Sequence, residues 1–278
     1  MTVNRINLTR LASCALLAAF LMAGLSATPA LAQDYKKNFN AGLEAYKASN
    51  FSQARAKFAE AATGAESAGD AEIAQKSKNA AAQMDYKLGN AALKAENYEQ
   101  ALTHYKAGQA MFSGYVLNKY GEGLALKKLG RIDEALTVWN EVAKSGNRKA
   151  GRTAEKAIRD HFYFQASSAV SKKNPTSSDA DRAVAALEAS TQYLEPDADY
   201  YYYTAVAHNI RGNTSACITA ANTALDMHRG SRTDKAKIYF VKGEALMYSG
   251  DTEGAKAAFA NAAYGSYKAS AEHYLNTL

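Results

Sequence analysis

A quartet of small and large apolar positions recurs along the chain at fixed offsets. From Gly42, steps of twelve, sixteen and nineteen residues reach Ala54, Phe58 and Ala61. The same steps from Gly89 reach Ala101, Tyr105 and Gly108. From Gly123 they reach Ala135, Trp139 and Val142, and from Gly243 they reach Ala255, Phe259 and Ala262. A fifth copy, Ala205, Cys217, Ala221 and Ala224, lacks the large residue, and a degenerate sixth keeps Ala183, Leu187 and Ser190. The pattern predicts a helical repeat, and three prolines in 278 residues leave its helices few forced breaks. Glycine on one helix and alanine on the next let two axes approach closely, with the aromatic filling space against the neighbouring hairpin.

Punctuation agrees with this reading. Gly130-Arg131, Gly212-Asn213 and Gly250-Asp251 pair a helix-ending glycine with, mostly, a capping residue, and Ser49-Asn50 and Glu96-Asn97 hold the same place earlier. The central small residues at 54, 101, 135, 183, 217 and 255 are separated by 47, 34, 48, 34 and 38 residues, so two copies need insertions. The first insertion lengthens helices around Ala68-Gly69-Asp70, since 71–95 reads as one long helix. The second falls in a polar loop from Lys172 to Ala180. Residues 265–278 read as a final helix covering the last repeat.

With its 34-residue unit and its small–small–aromatic spacing, the chain resembles the tetratricopeptide repeat family over about residues 35–264. The family aromatic four residues before the glycine is present as Tyr201 and Tyr239 but reads Asn38, Asp85 and Lys119 elsewhere, and the late proline survives only as Pro196. The resemblance implies an all-α, right-handed superhelical α-solenoid of about six antiparallel helix pairs with a C-terminal capping helix. Its repeats fall at about 35–68, 82–115, 116–149, 150–197 (degenerate), 198–231 and 236–264, with the cap at 265–278.

Residues 1–32 read as an address. Arg5 and Arg10 precede an apolar run from Leu11 to Leu25, and Ala30-Leu31-Ala32 forms a small-x-small cleavage site. That run is short for a spanning helix. Leu11-Ala12-Ser13-Cys14 resembles a lipobox but precedes most of the apolar region that a lipobox should close. Cleavage after Ala32 leaves 246 of the 278 residues, and loss of the two arginines lowers the formal net charge from +6 to +4. The expected compartment is a bacterial periplasm, with secretion as second choice. Such a mild charge gives no nucleic-acid footprint. No later apolar stretch has the length of a membrane span. A composition of 47% hydrophobic and 22% charged residues argues against wholesale disorder.

Little in the sequence points to catalysis. It has no Gly-rich phosphate loop, no H-E-x-x-H and no C-x-x-C, so no catalytic residue, metal ligand or cofactor is expected. His104, His161, His208, His228 and His273 are scattered, and Cys217 occupies the close-contact slot that alanine fills in other copies. The sequons at Asn50 and Asn213 lie at turns between paired helices, where capping explains them.

One constellation suggests binding. Three residues before each glycine-slot residue stand Phe39, Tyr86, Tyr120, Tyr202 and Phe240. Five residues after the glycine come Lys47, Lys94 and Lys128, with Ile210 and Tyr248 in the later copies. One reading takes the rings as displaced packing residues and the lysines as a solvated face. The other takes them, with Tyr203 and Tyr248, as an aromatic and basic groove for an extended peptide or a helix, since the resemblance places this face on the concave side. A carboxylate clamp is not expected, because Phe39 and Leu43 stand where its lysine and asparagine would be. The expected function is a non-enzymatic protein-interaction scaffold of the cell envelope, monomeric or weakly self-associating. The alternative is a small-ligand sensor or enzyme accessory using the tyrosines at 200–203.

Overall fold

The computed structural model describes residues 29–278. The leader expected over residues 1–32, with Arg5, Arg10 and Cys14, lies outside the described residues up to residue 28. Among the described residues there are thirteen α-helices and no strand. Six pairs follow one another: α1 (Pro29–Lys47) with α2 (Phe51–Ser67), α3 (Ala71–Lys94) with α4 (Tyr98–Met111), and α5 (Leu117–Lys128) with α6 (Ile132–Ala143). Then come α7 (Arg148–Val170) with α8 (Ser177–Ser190), α9 (Ala198–Ile210) with α10 (Thr214–Met227), and α11 (Arg232–Tyr248) with α12 (Thr252–Ala262). A 3₁₀ turn at Gly265–Tyr267 leads into α13 (Lys268–Thr277). The architecture is an all-α solenoid of helix pairs.

The helix ends are built alike. Six of the turns place a residue in the left-handed region: Ser49, Gly69, Glu96, Gly130, Gly212 and Gly250, at φ values from 59° to 85°. Each donates its N–H to the carbonyl three residues back, and the next residue donates to the carbonyl five back, as Glu96 does to Leu93 and Asn97 to Ala92. This pair of hydrogen bonds closes the helix and turns the chain into its partner. Asn50, Asp70, Asn213 and Asp251 then cap the following helix by accepting backbone N–H groups. Asn97 makes no such side-chain bond, so the expectation of a cap fails at that copy. The polar loop also ends earlier than expected, because Thr176 and Asp179 form a reciprocal capping box that starts α8 at Ser177.

The chain divides into two compact units at Val138/Trp139, inside α6. In the first unit the recurrent ring fills its own hairpin. A Cβ at Gly42 would stand 2.7 Å from the Phe58 ring, and one at Gly89 would stand 2.5 Å from Tyr105. Tyr105 is also pressed by Gly121 of α5 and donates its hydroxyl to Asn90 at 2.7 Å. The ring thus meets both the glycine of its own hairpin and, as expected, the neighbouring hairpin: a Cβ at Gly121 would stand 2.4 Å from Tyr105. Asp85, in a slot where the family has an aromatic, is 2% exposed and accepts from the Arg55 guanidinium at 3.3 Å through both oxygens. Burial holds its carboxyl above the usual carboxylate range despite that cation.

In the second unit α7 reaches 23 residues, so part of the second insertion lengthens a helix as well as a loop. First helices pack side by side, α7 on α9 and α9 on α11. The α9–α10 hairpin has no central ring; Ala205, Cys217, Ala221 and Ala224 are all fully buried. The α11–α12 hairpin returns to glycine and ring: a Cβ at Gly243 would stand 2.8 Å from Phe259. α13 closes the end, stacking Tyr274 on Phe259 at 4.6 Å and burying Ala271.

Candidate functional site

The sequence-selected rings stand on first helices, and all but the exposed Tyr248 are half-buried. In the first unit, Phe39 leans on Phe58 at 5.4 Å, and Tyr86 meets Tyr105 at 6.0 Å and Tyr115 at 5.9 Å. Each therefore packs on the ring that fills its hairpin while keeping part of its surface in water. Tyr120 is half-buried on α5. Lys47, Lys94 and Lys128 are exposed, and Lys47 pairs with Glu44 at 2.8 Å. Eight residues advance a helix about 80° beyond two full turns, so these lysines flank the aromatic stripe instead of continuing it.

The residues that continue the stripe lie seven positions on, and there the structure adds members the sequence reading missed. Tyr46, 41% exposed, lies 6.1 Å from Phe51, and Lys87 sits over both rings, at 5.5 Å and 5.0 Å. A cation held over two ring faces is favourable even near solvent. Burial and the neighbouring Tyr86 and Tyr46 hydroxyls push the Tyr115 hydroxyl up. The signal for Tyr46 was its seven-residue spacing from Phe39.

In the second unit Tyr202 lies beneath the Lys237 ammonium at 4.5 Å and beside Tyr203 at 5.0 Å. Burial, followed by a hydrogen bond with Tyr267, raises its hydroxyl well above the usual range. Tyr203 meets Tyr163 at 6.1 Å, and Tyr163 donates to Asp197 at 2.9 Å, which also pairs with Arg159. Tyr200 and Tyr201 pack on each other at 5.2 Å. The tyrosines at 200–203 thus spend their faces on neighbouring side chains. The nearby hollow is lined by Asp199, His228, Thr233, Asp234, Lys237, Ser266 and Tyr267, and by none of those four tyrosines. Phe240 is enclosed by Phe259, Tyr267 and Tyr274 at 5.2 to 5.9 Å. Tyr248, on the same helix, is 68% exposed.

Cys217 is fully buried with its thiol 3.8 Å from the Val241 carbonyl, and burial, reinforced by Glu244, pushes its pKa up to about 12. It is a packing residue and not a thiolate nucleophile. Among the described residues no group of three His, Cys, Asp or Glu could hold a metal ion, and no helix is long and apolar enough to cross a membrane.

Two hollows accompany the lengthened helices. One of about 700 Å³ lies where the Gly69 turn and the start of α3 meet the end of α4, with Met111 and Phe112 in its wall. The other, of about 650 Å³, runs between α7 and α8 over Ala169, Ala185, Ala186 and Ala189 beside Phe164. Sequence reasoning missed both, because each depends on where a longer helix outruns its partner.

Known proteins share this repeat. A tetratricopeptide-repeat family model matches residues 86–150, spanning α4, α5 and α6 with the end of α3 and the start of α7. A search of curated proteins finds no match. Among solved structures, the chain is similar to a thermophilic tetratricopeptide-repeat protein of Thermus thermophilus, at 16% identity over 70% of this chain and 99% of that one, with a TM-score of 0.31. It is also similar to a tetratricopeptide-repeat protein of Parabacteroides merdae, at 13% identity over 88% and 98% of the two chains, with a TM-score of 0.33. The repeat sequence recognised from spacing is therefore tetratricopeptide-repeat sequence across residues 86–150.

Proposed function

We propose that this protein is an exported, non-enzymatic scaffold of the bacterial cell envelope that takes a peptide or helical segment of a partner protein along the faces of its first helices. One observation carries the reading. Each aromatic three residues before the glycine slot is half-buried and leaves part of its surface in water, from Phe39 through Tyr86 and Tyr120 to Tyr202 and Phe240. Rings that are rigid and amphipathic give contact area at low entropic cost. Exposed Lys47, Lys94 and Lys128 flank the stripe and would steer an acidic partner more than hold it. The leader-like residues 1–32 support export to the periplasm.

Photo-crosslinking from position 120 in intact cells, followed by identification of the adduct, tests both halves. The expected result is a discrete adduct in the periplasmic fraction that alanine at Tyr86 removes with helicity intact. Unchanged capture by the Tyr86→Ala variant overturns the groove, and an adduct confined to the cytoplasm overturns the compartment.

A further inference from the structure

One step past the glycine slot the five well-formed copies read Leu43, Asn90, Leu124, Val206 and Glu244. Only the last is charged. Glu244 stands four residues after Phe240 and four before Tyr248, on the aromatic face of α11. It is partly buried, and it accepts from the Asn209 side-chain amide on α9 at 3.0 Å through Oε2. Among the described residues it makes no ion pair, and Oε1 receives no hydrogen bond. Asn209 follows Tyr202 by seven residues and so continues that stripe, and its Oδ1 is buried without a partner.

Three elements supply groups that interact with this carboxylate or lie one helical turn from it. Phe240 and Tyr248 come from α11 and Asn209 from α9. From α13, Tyr274 packs 5.9 Å from Phe240, and its hydroxyl is raised by burial and then by Glu244 and Tyr248. A carboxylate anchored at one oxygen, open at the other and bordered by rings has the chemistry of a cation receptor. Burial holds the Glu244 carboxyl above its ordinary range, a cost that an incoming cation offsets.

We propose that Glu244, oriented by Asn209 and walled by Tyr248 and Phe240, receives an arginine side chain of the partner segment. A planar guanidinium can bond the open carboxylate oxygen while stacking on a ring, which a lysine ammonium does less well. The inference rests on the reading of the first-helix face as the binding face. It adds a basic residue of the partner segment at α11.

The test titrates acetyl-Ala-Arg-Ala-amide into the isotope-labelled protein and follows the Asn209 side-chain amide by NMR, with acetyl-Ala-Gln-Ala-amide as the neutral probe. The arginine peptide should shift that resonance saturably and at least tenfold more tightly than the neutral one. Glu244→Gln, which preserves shape and the Asn209 bond, should weaken it at least tenfold, and Tyr248→Ala at an exposed position should weaken it severalfold. Equal binding of the two peptides, or an unchanged titration in Glu244→Gln, overturns the proposal. If that happens while Tyr86→Ala still abolishes crosslinking from position 120, the cation site falls and the groove reading stands. Retained crosslinking in Tyr86→Ala beside a Glu244-dependent titration does the opposite: the groove reading falls and the cation site stands.

Discussion

Two solutions to one packing problem stand side by side. In the hairpins α1–α2, α3–α4 and α11–α12 a large ring enters from the second helix and the first helix yields a glycine: Phe58 on Gly42, Tyr105 on Gly89, Phe259 on Gly243. In α9–α10 the ring is replaced by Ala221 and the glycine by Ala205, with Cys217 completing the contact. Glycine inside a helix costs about 1 kcal/mol relative to alanine. The chain bears that cost where a ring needs the space and avoids it where none does. Glycine and aromatic are therefore one coupled feature, and the fifth copy keeps the architecture while changing both members together.

The hairpin α3–α4 offers the strongest test. Tyr105 is fully buried, held between Gly89 and Gly121 with its hydroxyl on Asn90, so it has nowhere to slide. Tyr105→Ala should cost about 3–5 kcal/mol through the cavity it leaves. Gly89→Ala should cost about 1–3 kcal/mol by overpacking. The double variant should cost less than the sum by more than about 0.5 kcal/mol, the error of additivity for independent sites. Urea unfolding followed by circular dichroism measures all three, and strictly additive costs would break the coupling.

The converse experiment converts the fifth hairpin into the others. Ala221→Phe alone should lose about 1–3 kcal/mol, because Ala205 blocks the ring. Adding Ala205→Gly should return part of that loss, although Ala205→Gly alone should itself cost about 1 kcal/mol in helix propensity. A double variant no better than Ala221→Phe would show that something besides the glycine excludes a ring from α9–α10.

These couplings explain how much was readable beforehand. The quartet was visible because close helix contact demands small residues at fixed places, and one copy can be checked against the next. The partner of each ring was not, since spacing alone cannot tell Gly89 of the same hairpin from Gly121 of the next. The proposed binding face was half legible. Its rings recur at one offset, but Tyr46 and Lys87 meet across α1 and α3, and Asn209 meets Glu244 across 35 residues of chain. The charge of Glu244 was there to read beside Leu43, Asn90, Leu124 and Val206; its burial and its lack of a cation were not.

The smallest effect lies in the turns, where the first hairpins again differ from the later ones. Gly130, Gly212 and Gly250 take the left-handed position freely, but Ser49 and Glu96 hold it at φ 59° and 62° with a Cβ present. The hydrogen bonds are the same in both groups, Glu96 to Leu93 and Asn97 to Ala92 matching Gly130 to Lys127 and Arg131 to Leu126. The difference is therefore backbone strain alone, worth about 1–2 kcal/mol for a residue with a Cβ. Glycine also loses more entropy on folding, which offsets about half of the gain. Glu96→Gly should then stabilise by about 0.5–1 kcal/mol, while Gly130→Ala should destabilise by about 1 kcal/mol. Thermal unfolding reads both signs. A Glu96→Gly protein that melts below its parent would mean that the glutamate side chain contributes something at this turn that outweighs its strain, and the six turns would no longer be equivalent in their energetics.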